Sequence, residues 1–168
     1  IPAGPTVADE VANAAFWLGA MEGMHSAYPD IREHISWEDV RDNFLKSAKF
    51  GIDTKFTWFN DKKVTATDLV QQELLPIARE GLKSRGVDTG DIDHYLGIIE
   101  ERAKSHMSGS RWQLRAYTKL SKEVSRDEAL TVMTAAIIKN QAENKPVHTW
   151  EMPEAVSLPD YKHARLLV

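Results

Sequence analysis

The residues that most constrain the fold lie near the start of the chain, from Val7 to Met24. Val7, Val11, Ala14, Leu18 and Met21 recur at steps of four and three, which sets them along one stripe of an α-helix. A second stripe, Ala8, Ala12, Ala15, Gly19 and Gly23, is made only of small residues, so another helix backbone can approach it closely. Phe16, Trp17, Ala20 and Met24 occupy much of the remainder. A helix apolar on nearly every side is expected to be buried, and burial needs other helices around it. Thr6 is placed to cap this helix, with Asp9 as the acid of a capping box three residues on.

The rest of the chain supplies those helices. Ser36 caps a second, with Trp37, Val40, Phe44, Leu45 and Ala48 as its expected core face and Gly51 as its stop. Lys55 to Asn60 is β-prone, and Asp61-Lys62-Lys63 can turn it back toward Val64, so a short hairpin is predicted near 55–64. Thr67 is read as the opening of a third helix, and Pro76 inside it predicts a kink or break near Gln72–Glu73, with Gly86 closing the segment. Asp88 or Thr89 starts a fourth helix carrying Ile92, Tyr95, Leu96, Ile99 and Ala103. The turn Ser108-Gly109-Ser110 starts a fifth, and a capping box of Ser125 and Glu128 starts a sixth, running to about Asn144. From Lys145 the prolines 146, 153 and 159 predict an extended tail over the surface. The expected fold is mainly α: one multi-helix domain over 1–168, with one short hairpin and an extended C-terminal tail.

Composition narrows the function classes. At 168 residues the chain is long enough for one real core. It has no cysteine, which excludes a disulfide, a thiolate nucleophile and a cysteine-ligated zinc. A net charge of −4 with no basic cluster gives no reason to expect nucleic acid. The longest uncharged apolar run, Val11 to Met21, is far short of the ~20 residues a membrane span needs. A cytoplasmic location is the simplest expectation. The opening Ile1-Pro2-Ala3-Gly4-Pro5 leads straight into a helix start, and sequence upstream of it is expected.

Two places can carry chemistry. Asp9 and Asn13 share a face of the first helix just beyond Thr6, with Glu10 beside them. Buried polar groups must be paired, so this end is either an internal hydrogen-bond network or one wall of a substrate cleft. Ser108-Gly109-Ser110-Arg111 is a turn into a helix start, where free N–H groups and an arginine fork suit a phosphate or carboxylate, and Arg102 stands in the same neighbourhood. The plainer account of that turn is helix initiation with Arg111 paired to an acid. The six histidines are scattered without metal-ligand spacing, and His148 is read as a docked tail contact. No Walker-type loop, dinucleotide-binding glycine pattern or nucleophile elbow is present. On the residues alone there is no complete active site, no catalytic residue can be named and no metal site is expected.

A family resemblance adds the chemistry. Gly4-Pro5-Thr6 leading into Asp9-Glu10, Ala12-Asn13-Ala14-Ala15-Phe16 and Leu18-Gly19 resembles the start of the last third of the glutamate–cysteine ligase-like carboxylate–amine ligases. Asn43-Phe44, Gly51-Ile52-Asp53 and Trp58 are similar to the next block, and Glu73 to Leu82 to the one after it. Tyr95-Leu96 through Glu100-Glu101-Arg102, then Ser108 to Gln113, resemble the closing signature, and Pro146 to Trp150 the tail of a longer-tailed branch. Where family members often have Thr-Gly-Ala, this chain has Ser108-Gly109-Ser110.

The resemblance implies ATP-dependent joining of a small-molecule carboxylate to an amine through an acyl-phosphate, with ATP and Mg²⁺ as cofactors of the intact enzyme. It implies that the metal ligands and most nucleotide contacts lie in an earlier sheet. This chain would then be the C-terminal helical portion, inactive alone and partnered by the N-terminal part of its own protein. Asp9, Asn13, Arg102 and Arg111 become the candidate substrate- or nucleotide-binding residues. Neither nucleic acid nor a membrane is an expected partner, and homo-oligomerisation stays open. The alternative is a non-catalytic helical domain that binds a protein.

Overall fold

The computed structural model describes residues 4–155. Seven α-helical segments and one small hairpin make up these residues, in the order α1 (Val7–Ala27), α2 (Trp37–Phe50), β1 (Lys55–Thr57), β2 (Lys63–Thr65), α3 (Ala66–Leu69), α4 (Leu75–Ser84), α5 (Thr89–Lys104), α6 (Gly109–Leu120) and α7 (Arg126–Ala142). The strands are antiparallel, with Phe56 opposite Val64. The mainly helical class and the hairpin are as expected. The tail beyond Ala155, with its proline at 159, lies outside the described residues.

The helix starts follow their caps. The side chains of Thr6, Ser36, Asp88 and Ser108 each accept a backbone N–H of the first turn that follows, and Ser125 with Glu128 completes the capping box of α7. The third helix opens at Ala66 and not at Thr67, with Thr65 as its cap. Pro76 does not break it. A single π-helical turn, Val70–Leu74, joins α3 to α4, and Pro76 falls in the first turn of α4. Widening the turn ahead of the proline is one way a helix absorbs the missing N–H and the ring.

The main core lies where α1 crosses α4 and α5, and is formed by Ala8, Ala12, Leu75, Ala78, Leu82, Ile92, Leu96, Ile98 and Ile99. Its closeness is set by glycine. A Cβ on Gly81 would stand 2.1 Å from the Gly19 carbonyl oxygen, and one on Gly23 2.1 Å from that of Ile77. The small-residue stripe of α1 is therefore its packed face. The larger stripe is not packed: Val7, Leu18 and Met21 are exposed, as is Trp17. The expectation of an all-round buried helix fails here, because two backbones this close leave the bulky residues on the far side of the crossing.

The same correction holds for α2. Trp37 (77% exposed), Phe44 and Leu45 face outward, and Asn43 is the residue that α2 buries. Its amide donates to the Thr57 carbonyl at 2.7 Å and its carbonyl accepts the Thr57 N–H at 2.9 Å. A polar clamp on the hairpin, not an apolar face, holds α2.

A smaller core forms around Trp112, Ala116, Val147 and Trp150, joining α6 to the tail. From Pro146 to Ala155 the one regular element is a 3-10 turn, Val147–Thr149, and this stretch is inserted at two points: Val147 and Trp150 are buried. The edge-to-face pair of Trp112 and Trp150, with ring centroids 5.0 Å apart, is the centre of this core.

Candidate functional site

The N-terminal half of α1, the end of α5, the start of α6, part of α7 and the tail surround one open cleft of about 720 Å³. Small-molecule sites usually fall within about 300–1,000 Å³. Asn13, Phe16 and Trp17 of α1 line it, together with Arg102, the turn Ser108-Gly109-Ser110, Gln113, Gln141 and Trp150. Among the described residues Arg102 is the one charged side chain in that lining.

Asp9 sits behind the lining, with no exposed surface. Its Oδ2 accepts the Thr6 hydroxyl at 2.9 Å and the Val147 N–H at 3.1 Å, while its own N–H donates to the Thr6 oxygen at 3.2 Å. Its Oδ1 faces Arg102, whose Nη2 lies 3.3 Å away as an ion pair without hydrogen-bond geometry. Arg102 Nη1 donates to Asn13 Oδ1 at 2.8 Å. Burial lowers the Arg102 pKa from its ordinary value and the Asp9 carboxylate opposes that, so the guanidinium keeps its charge with only 17% of the side chain exposed.

Three of the four candidate residues thus meet in one constellation. Arg102 and Asn13 line the cleft, and Asp9 orients Arg102 from beneath without a surface of its own to offer a ligand. Arg111 does not join them. It turns toward Asp53 and pairs with that carboxylate, the ordinary helix-start arrangement weighed from the sequence. The turn before it caps α6 and sits against the residues leading into α1: Ser108 Oγ accepts the Arg111 N–H at 3.3 Å, and a Cβ on Gly109 would press into Pro5 at 2.8 Å.

Phe16, Trp17 and Trp150 give the cleft an aromatic lining that the sequence reading did not assign to a site. Phe16 and Trp17 were legible in principle, since they stand three and four residues beyond Asn13 and so share its face. Trp150 was not, because its position depends on how the tail folds back. No group of three or more His, Asp or Glu among the described residues is arranged to hold a metal ion, and no carboxylate lines the cleft. Nor is any helix among them long and apolar enough to cross a membrane.

Compared with protein-family models, curated proteins and solved structures, the chain matches none.

Proposed function

We propose that this chain is the C-terminal helical segment of an ATP-dependent carboxylate–amine ligase of the glutamate–cysteine ligase type, inert when alone. The observation that supports the reading is a convergence. Residues from blocks far apart in sequence that carry the resemblance, Pro5, Asn13 and Phe16, Arg102, Ser108 and Gln113, and Trp150, line a single cleft. In such a reaction a carboxylate oxygen takes the γ-phosphoryl group of ATP and releases ADP. The amine then attacks the acyl carbon and inorganic phosphate leaves.

The part assigned to this chain is to hold an anionic group against Arg102, with the amides of Asn13 and Gln113 beside it. Among the described residues Mg²⁺ finds no acidic ligand set, so the reading leaves the metal and the bulk of the nucleotide contacts to sequence outside them. The test is ADP release with ATP, Mg²⁺, glutamate and a panel of amines, from a longer protein carrying upstream sequence and from this segment alone. Turnover by the longer protein only, with the KM for the acid raised at least tenfold by Arg102→Gln, is the expected result. No ADP release with any acid and amine would overturn the reading.

A second reading, a non-catalytic protein-binding domain, has its own support in the exposed apolar residues of α1 and α2. It predicts no turnover from either protein.

A further inference from the structure

We infer that the segment Pro146–Trp150 is an acid-loosened strap, held most firmly against α1 and α5 while His148 is neutral. The strap is built from directional contacts. Asn144 turns the chain with φ 51°, and its side chain accepts the Ala8 N–H at 2.9 Å. Val147 then donates to buried Asp9, and Trp112 Nε1 donates to the Glu151 carbonyl at 3.2 Å. Between Val147 and Trp150, both buried, stands His148.

His148 Nδ1 is buried with no hydrogen-bond partner among the described residues. The other buried side-chain polar atoms in that condition there are Asp9 Oδ1 and Arg102 Nε and Nη2. All of them belong to residues that act electrostatically on one another, so the unsatisfied buried polarity of the described residues gathers under the strap. The charges facing the imidazole are Asp9 from α1 and Glu101 from α5, which favour a proton on it, and Arg102 from α5, which opposes one. Burial is the largest influence and also opposes protonation, so the balance lowers the pKa. A group whose folded pKa lies below its unfolded value binds more protons when released. Docking is therefore complete above the unfolded value of ~6.5 and weakens as pH falls below it. Trp150 lines the cleft, so each opening of the strap also opens that wall.

The device is independent of the ligase reading, because it is measured on the strap itself. The experiment is NMR hydrogen exchange at pH 7.5 and 5.5, each rate divided by the intrinsic rate at that pH. The Val147 protection factor should fall at pH 5.5, by up to about tenfold, while the core amides of α5 keep theirs. His148→Asn, which leaves an uncharged polar group near the Nδ1 position, should abolish the fall. A flat Val147 profile in the natural chain overturns the inference, and so does a fall that persists in His148→Asn. Should that variant not fold, the NMR titration of His148 in the natural chain decides. A His148 midpoint below ~6.5, with Val147 protection falling over the interval between the two, supports the strap, and a midpoint at or above ~6.5 overturns it.

Discussion

Asp9 shows how much can rest on one side chain. A carboxylate with no exposed surface is tolerable because Thr6, Val147 and Arg102 surround it. Removing it leaves Arg102 as a buried cation without its countercharge and Val147 without an acceptor. Asp9→Ala is therefore expected to cost about 3–5 kcal/mol, read from urea denaturation. Arg111 is the contrast, since its partner Asp53 is well exposed. Arg111→Ala should change stability by at most about 1 kcal/mol in the same measurement. The two arginines looked alike in the sequence. What separates them is which carboxylate the fold brings to each, and no local pattern encodes that.

At the scale of elements, the crossing of α1 over α4 is the joint on which the packing depends. Gly81→Ala would drive a methyl into the Gly19 backbone, which cannot yield as a flexible side chain can. The expected cost is about 3 kcal/mol or more, or failure to fold, seen as a drop in Tm. Gly97→Ala is the control. Nothing lies within 4 Å of its added Cβ in the middle of α5, so it should stabilise by about 0.5–1 kcal/mol. Helix starts were legible because capping is local chemistry between residues two or three apart. The π turn ahead of Pro76 was legible only as a disturbance. Whether a proline breaks a helix or widens one turn depends on the packing that holds both halves in line.

For the molecule as a whole, the outward faces of α1 and α2 set its surface character. Trp17, Leu18 and Met21 on α1, and Trp37 and Phe44 on α2, are exposed large apolar residues. Replacing Leu18 and Met21 with lysine should leave stability within about 0.5 kcal/mol, since neither is buried. The same double change should reduce binding of an apolar dye such as ANS. A large loss of stability instead would mean that these side chains are packed in solution.

From its sequence alone, the chain's class, its helix starts apart from that of α3, its hairpin and the small-residue contact face of α1 followed, because each depends on neighbours within one or two turns. The sequence also marked the polar ends, Asp9 with Asn13 and Arg102 with the Ser108 turn, that turn out to adjoin one cleft. Only the tertiary structure decided which apolar stripes are buried. An amphipathic pattern names a face, not what covers it, and here glycine-mediated approach of two backbones turned the bulky stripe of α1 outward. Likewise only the fold joined Val147 to Asp9 across 138 positions of chain, and that contact brings His148 and Trp150 to the cleft end of the molecule.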